Sequence, residues 1–321
     1  FFALITMKKQ HVSLLALSAG LVWGAGCGSI SGGKSGEKLL MGDFFTGNLV
    51  SYEGGKMDVI ASGFRGADAI EQDGNMIYVS SWPLGKVWSY NTDTKEQKVL
   101  KDNFTTAADF FLDRVAKQLV VPDMLESKLI FLKLNEDGTA TVAKMLDAPT
   151  KPESVCRGFD GKLYVTMING EEPGDGGINV IDGDEVKEFC RGMNSPKGIA
   201  FVGGYLVTAD ETTMWKVDAE GKATKLAEKA DFPAPIEFLN DVAASKDGAS
   251  IYVTEMSNPG WMFDPDGVRK LWPIGSEKAV SPKTGCVYKI TLAGKITLAV
   301  PAGDDARGDW LQMRDPQARD K

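Results

Sequence analysis

The chain has 321 residues, of which 43% are hydrophobic, so it is long enough for one large domain or two ordinary ones. Its net charge of −8 at pH 7 argues against a nucleic-acid partner and favours a small molecule or a cation. Its single histidine is His11, near the N-terminus. A mature protein that starts beyond it can have no Ser-His-Asp or Cys-His apparatus and no histidine metal ligand.

The first 26 residues have the pattern of a secretory signal peptide. Lys8 and Lys9 precede the apolar run Val12–Trp23, which is too short to span a bilayer. Residues 1–6 would then lie upstream of a true start at Met7. Cys27 opens a Gly/Ser-rich tether over residues 27–37 and stands where a bacterial lipoprotein is cleaved. The sequence leaves two fates open, lipidation at Cys27 with membrane attachment or simple cleavage and release. Both predict an exported bacterial protein, either periplasmic or anchored in the envelope.

From residue 38 onward the sequence repeats a unit of four short strands. Five full units, each about 40–45 residues long, have the length and turn pattern of β-propeller blades. Their first strands begin near Ile70, Phe111, Val155, Ile199 and Val242. A partial unit from Lys38 lacks its first strand, and "GDWLQM", Gly308–Met313, is the candidate that supplies it. We therefore predict an all-β fold over residues 38–321, a six-bladed β-propeller closed by a C-terminal strand. The remaining cysteines are predicted to be buried thiols.

A polar residue precedes the first strand of each unit, and consecutive members of this column are 41 to 44 residues apart over the five full units. The column is Asp68, Asp109, Glu153, Lys197 and Asn240, with Asp309 as its sixth member if the closing strand is correct. Because first strands line the central channel of a propeller, these side chains are predicted to ring its mouth. Such an oxygen-rich ring suits Ca²⁺ or Mg²⁺. The alternative is that Lys197 neutralises Glu153 and that the other acids contact water.

The segment between Asn240 and Asp309 is longer than the other intervals because of an insertion at residues 256–284. Trp261, Phe263 and Trp272 lie in this insertion and are suited to covering a pocket.

The stretches "LNDVAASKDGASIYVTE" and "ADAIEQDGNMIYVSS" resemble the regucalcin–gluconolactonase–luciferin-regenerating-enzyme family, to which the strictosidine synthases are more distant relatives. The resemblance covers about residues 38–303. It implies a six-bladed propeller with one divalent cation in the channel, usually calcium, and lactones or related esters as substrates.

The resemblance can be aligned in two registers. Counted from the first full unit, Asp68, Lys197 and Asn240 do not match the family's ligand types. Counted around the ring so that "FLNDV" matches the family's N-D motif, Glu153, Asp68 and Asp309 become metal ligands with Asn240 as a fourth contact. We adopt the second register because its residue types agree better.

The resemblance then implies a calcium-dependent lactonase or esterase that acts on a lactone, ester or sugar-like molecule. Asp68 would be the general base, and Asn240, Lys197 and Asp109 would contact the substrate, with Lys197 stabilising a developing oxyanion. Two alternatives stay open. One is a non-enzymatic ligand-binding propeller, in which the Lys197 ammonium occupies the space of a cation. The other is a metal-free lyase like strictosidine synthase, with Glu153 as its acid/base.

Overall fold

The structure is a computed structural model that describes residues 37–168, 172–302 and 311–314, the last four by their backbone only. The signal peptide, Cys27 and nearly all of the tether lie outside these residues, as does Asp309. Export, lipidation and the ring position of Asp309 therefore stay predictions.

The regular secondary structure of the described residues is almost entirely β-strand. In chain order the strands are β1 (Leu39–Asp43), β2 (Leu49–Glu53), β3 (Lys56–Ala61), β4 (Ala67–Asp73), β5 (Met76–Ser81), β6 (Lys86–Asn91), β7 (Gln97–Lys101), β8 (Phe111–Asp113), β9 (Gln118–Asp123), β10 (Lys128–Leu134), β11 (Ala140–Asp147), β12 (Lys151–Arg157), β13 (Leu163–Ile168), β14 (Gly176–Asp182), β15 (Glu185–Met193), β16 (Pro196–Val202), β17 (Tyr205–Asp210), β18 (Thr213–Val217), β19 (Ala223–Ala227), β20 (Leu239–Ala244), β21 (Ser250–Glu255), β22 (Cys286–Thr291), β23 (Ile296–Val300) and β24 (Leu311–Arg314).

The helical segments in the described part are short 3₁₀ turns at Met124–Glu126, Phe159–Gly161, Lys229–Asp231 and Pro259–Met262. Within the same residues no helix has both the length and the apolar character needed to cross a membrane.

The strands form six antiparallel four-stranded sheets, which confirms the predicted six-bladed β-propeller. Five blades are consecutive in sequence and are numbered 2 to 6 in chain order: β4–β7, β8–β11, β12–β15, β16–β19 and β20–β23. Blade 1 has the order β24-β1-β2-β3, so its inner strand comes from the C-terminal end of the chain. Backbone pairing runs from Leu40 opposite Arg314 to Asp43 opposite Leu311. The predicted closure is confirmed by the strand Leu311–Arg314, which overlaps the predicted segment Gly308–Met313.

The hydrophobic core lies between the blades. Successive residues of a strand point to opposite faces of its sheet, and each face packs against a neighbouring blade. In β17, for example, Leu206 packs with the apolar residues of blade 4, whereas Val207 packs with those of blade 6. This double burial explains why the middle strands read as unbroken apolar runs. Cys156, Cys190 and Cys286 are buried, as predicted.

Candidate functional site

The inner strands of four blades are interrupted by a β-bulge where the predicted ring residues lie. In β4, β12, β16 and β20 the pairing with the next strand skips two residues. The skipped pairs are Asp68-Ala69, Glu153-Ser154, Lys197-Gly198 and Asn240-Asp241. The ring residues thus lie within these strands, not ahead of them as the sequence predicted. A bulge re-aims side chains and is common beside active sites, which explains how a strand tolerates an Asn-Asp pair.

In three of these four blades a buried hydroxyl group on the second strand supports the bulge. The second bulge residue has a backbone N–H that the ladder no longer satisfies, and leaving it buried without a partner would be costly. The hydroxyls of Ser80, Thr166 and Thr254 accept this N–H from Ala69, Ser154 and Asp241, at 3.0, 3.0 and 2.9 Å.

Two of these hydroxyls also join neighbouring blades. Ser80 Oγ donates to the Ala108 carbonyl at 2.9 Å, and Thr166 Oγ1 donates to the Lys197 carbonyl at 2.8 Å. Blade 3 has Pro122 at the corresponding position, and its inner strand begins only at Phe111. Blade 5 has the bulge in β16 without such a hydroxyl, because Ala209 lies opposite it, so the hydroxyl supports a bulge but is not required for one.

Carboxylates at the ends of second strands position the loops that lead into the ring. Each accepts two backbone N–H bonds from residues two to four positions ahead of a ring residue. Asp123 binds Thr105 and Thr106 ahead of Asp109, Asp210 binds Asn194 and Ser195 ahead of Lys197, and Glu255 binds Glu237 and Phe238 ahead of Asn240. These carboxylates were not predicted, although the sequence shows an acidic residue at the end of the second strand in several units.

A small pocket at this level brings the predicted residues together. It is lined by Asp68, Asp109, Glu153, Gly198, Asn240 and Asp241. Asp109 accepts a hydrogen bond from the Ser154 hydroxyl. Asp241 was missed by the sequence reasoning, although it is the second residue of the N-D motif. Lys197 does not line the pocket itself, but it directly precedes Gly198, which does.

Gly198 is required by the close approach of blades 5 and 6. A Cβ at this position would lie 2.5 Å from the backbone nitrogen of Val242. The absence of a side chain therefore lets the two inner strands meet at the ring, which brings the Asp241 carboxylate beside the pocket.

The pocket holds more negative than positive charge. Burial raises the pKa of the Asp68 carboxyl well above its ordinary value. The carboxylates of Glu153, Asp109 and Asp241 raise this pKa further, and the Lys197 ammonium lowers it. Four buried carboxylates thus face one ammonium. A strongly perturbed carboxyl in a pocket marks a candidate functional site.

Lys197 offsets part of this charge. Its Nζ lies 3.7 Å from Oε1 of Glu153 and 5.8 Å from the centre of the Phe238 ring. The other carboxylate oxygen of Glu153, Oε2, is buried, and no residue in the described ranges hydrogen bonds to it. One strong acceptor is therefore left for a cation, a water molecule or a substrate donor.

The donor set has the chemistry of a hard divalent cation, because carboxylate and amide oxygens are the ligands that Ca²⁺ and Mg²⁺ take. Among the described residues no three His, Cys, Asp or Glu side chains are spaced to hold a metal ion. The predicted set also needs the amide of Asn240 and the carboxylate of Asp309, so the described carboxylates alone would not complete it. The orphaned Glu153 Oε2 is consistent with such a partner.

The insertion at residues 256–284 packs over this end of the propeller, as predicted. Trp261, Phe263 and Trp272 join an apolar cluster with Phe44, Phe45, Trp82, Ala108 and Phe238. Ala108 precedes Asp109 in the ring, and Phe238 contacts Lys197. The insertion therefore roofs the side of the mouth next to the acid cluster.

No family model matches the chain, and no curated protein matches it. Solved structures do match. A chain of the nidogen–laminin complex has a TM-score of 0.64 at 14% identity, over 87% of this chain and 98% of that chain. A structural-genomics protein from Lactobacillus plantarum has a TM-score of 0.53 at 14% identity, over 86% of this chain and 99% of that one.

Streptogramin B lyase has a TM-score of 0.49 at 14% identity, over 84% of this chain and 76% of that one, which is too low to carry an argument. At these identities the matches show the propeller fold alone.

Proposed function

We propose that the protein hydrolyses a lactone or related ester with the help of one divalent cation, Ca²⁺ by resemblance, bound at the mouth of the channel. The observation that carries the proposal is the buried acid cluster of Asp68, Asp109, Glu153 and Asp241 opposite the single ammonium of Lys197. Carboxylates buried side by side repel one another, and a cation between them removes that cost. The substrate class rests on the family resemblance.

The cation would be held by Glu153, Asp68, Asn240 and Asp309. When bound, it supplies polarisation of the substrate carbonyl and orientation of the attacking water. Asp68 takes a proton from that water as the new C–O bond forms at the carbonyl carbon. Asn240 and Lys197 hold substrate oxygens, and the ammonium stabilises the negative charge that develops. The bond to the leaving oxygen then breaks, and the proton on Asp68 passes to that oxygen to give a hydroxy acid.

A metal-free acid/base enzyme is the second candidate. The contact of 3.7 Å between Lys197 Nζ and Glu153 Oε1 favours it, because the ammonium already neutralises the carboxylate that would hold a cation. In this case Glu153 would be the group that moves the proton.

Turnover of a panel of lactones and esters, measured with Ca²⁺, with Mg²⁺ and in EDTA, separates these candidates. The proposal predicts activity with a divalent cation that EDTA abolishes. It also predicts that Asp68→Asn lowers kcat by about 10²–10⁴-fold, the usual contribution of a general base. Asp266→Asn is the matched control because this carboxylate is exposed on the insertion, and its kcat should stay that of the parent.

Other outcomes would overturn the proposal. Turnover that persists in EDTA and is lost in Glu153→Gln would establish the metal-free enzyme. Absence of turnover on every ester and lactone, together with saturable binding of one of them, would establish a ligand-binding propeller.

A further inference from the structure

The roof of the mouth contains buried hydrogen-bond donors that have no acceptor among the described residues. We call the group formed by Phe44, Phe45, Trp82, Trp261 and Phe263 the lid cluster. Its rings contact one another, with centroid distances of 4.9 Å for Phe45–Trp261, 6.4 Å for Trp82–Phe263 and 6.3 Å for Phe44–Phe263. Two arginines pack on these rings.

Arg65 approaches the lid cluster from blade 2. Its guanidinium lies 5.3 Å from the centre of the Phe45 ring, and its Nη2 donates to the carbonyl of Trp272. Its own carbonyl accepts from Ser81, the residue before Trp82. Arg65 is three residues ahead of Asp68, so it lies at the same end of the inner strand as the acid cluster.

Arg269 approaches the lid cluster from the insertion. Its guanidinium lies 5.8 Å from the centre of the Trp82 ring. The next residue, Lys270, is paired with Asp264 at 2.7 Å, whereas no carboxylate in the described ranges forms an ion pair with Arg65 or Arg269. The insertion thus neutralises an exposed lysine and leaves the half-buried arginine beside it without a counter-charge.

Four donor atoms of the roof are buried without an acceptor among the described residues: Arg65 Nε, Arg269 Nε, Arg269 Nη1 and Trp261 Nε1. Burial also lowers the pKa of the Arg65 guanidinium below its ordinary value. Buried charged donors are costly unless they meet an acceptor, and native proteins satisfy nearly all of them. Such a group of donors is suited to an anion.

We propose that the roof of the mouth is a binding site for the carboxylate group of a small organic acid, held by Arg65 and Arg269 with the indole N–H of Trp261. A guanidinium presents parallel N–H donors that match the two oxygens of a carboxylate. The aromatic walls suit the carbon skeleton of an organic molecule better than they suit a bare inorganic anion.

Together with the acid cluster, this site defines a class of substrate. The substrate would be a lactone or ester that also carries a free carboxylate, anchored at the roof while its carbonyl faces Asp68 and Glu153. That statement rests on the proposed function, whereas the carboxylate site itself does not.

Intrinsic tryptophan fluorescence tests the site, because Trp82 and Trp261 are part of it. The parent is titrated in EDTA with D-glucuronate and with D-glucose, which differ in the carboxylate. We expect saturable binding of glucuronate and at least tenfold weaker binding of glucose. Arg65→Lys and Arg269→Lys keep a positive charge but remove the orphaned Nε donors, so each should raise the Kd for glucuronate at least tenfold.

Lys278→Gln is the matched control, since this lysine lies on the same insertion, 4.9 Å from the centre of the Trp272 ring, and should leave the Kd unchanged. Glu153→Gln should also retain glucuronate binding, which separates this site from the proposed hydrolysis. Equal binding of glucose, or an unchanged Kd in both arginine variants, overturns the site. Tighter binding of inorganic phosphate than of glucuronate overturns the choice of a carboxylate.

Discussion

Single hydroxyl groups support the bulges that present three of the ring residues, Asp68, Glu153 and Asn240. Thr166 is buried in the middle of β13, yet it accepts the backbone N–H of Ser154 and donates to the carbonyl of Lys197 on the next blade. A threonine can make both bonds at once because its hydroxyl is both donor and acceptor. It therefore holds the bulge beside Glu153 and fixes blade 5 against blade 4 at the level of the pocket.

Thr166→Val is expected to lower the free energy of unfolding by about 2–4 kcal/mol, since the shape is kept while two buried backbone groups lose their partner. Urea unfolding measures the change. Thr224→Val is the control, because Thr224 is exposed and donates only to the Lys216 carbonyl. That variant should stay within about 0.5 kcal/mol of the parent. Equal losses in both variants would show that the bulge is stabilised in another way.

At the scale of the element, the propeller depends on a strand that is remote in sequence from the blade it completes. β24 pairs with β1 and supplies the inner strand of blade 1. Without it, β1 would present an unpaired edge to the channel. The contact also fastens the two ends of the described chain together, as the ring requires.

Deletion of residues 311–321 is expected to remove most of the free energy of unfolding, which is about 5–15 kcal/mol in an ordinary domain, because one blade loses its inner strand. Deletion of residues 315–321 keeps the strand and is the control, with a melting temperature expected near that of the parent. Thermal melts followed by circular dichroism give both values. If the longer deletion melted cooperatively at the parent temperature, ring closure by β24 would not be needed for stability.

The blade count and the ring could be predicted because both repeat at a constant spacing. A short apolar strand like "IYVTE", preceded by a turn, recurs in the five full units, and so does a polar residue near the start of the inner strand. The bulges could not be predicted, since they depend on pairing between strands and not on the strand's own residues. Asn240 and Asp241 therefore read as the edge of a strand, although they lie inside β20.

The charge balance of the pocket could not be predicted either. The sequence places Lys197 and Glu153 in one ring, but only the structure shows that one oxygen of Glu153 faces the ammonium while the other is orphaned. The donors of the roof depend on contacts between the insertion and blades 1 and 2, which no local pattern encodes. Arg65 and Arg269 are 204 positions apart in the sequence, and each packs on an aromatic ring of the lid cluster, Phe45 and Trp82 respectively.

At the scale of the whole molecule, repulsion within the acid cluster lowers the stability of the ring of inner strands on which the acids lie. Every carboxylate in the pocket lies on an inner strand or just ahead of one, and each belongs to a different blade, so repulsion between them acts from blade to blade. Proteins commonly retain such unfavourable arrangements at sites where activity needs them. The cost should therefore appear as a stability that depends on what occupies the mouth.

Asp68→Asn is expected to be more stable than the parent in EDTA and less stable than the parent when calcium is added. In EDTA the variant should be the more stable by about 1–2 kcal/mol, because a neutral amide of the same shape escapes the burial and repulsion that raise the pKa of Asp68. Calcium at about 100 times its dissociation constant should stabilise the parent by roughly 2.7 kcal/mol and the variant by much less. Asp266→Asn, exposed on the insertion, should follow the parent in both conditions. The opposite result is that calcium and magnesium leave the free energy of unfolding of the parent unchanged and that Asp68→Asn is less stable than the parent in every condition. That result would mean that the acids serve the structure of the ring and that no cation binds among them.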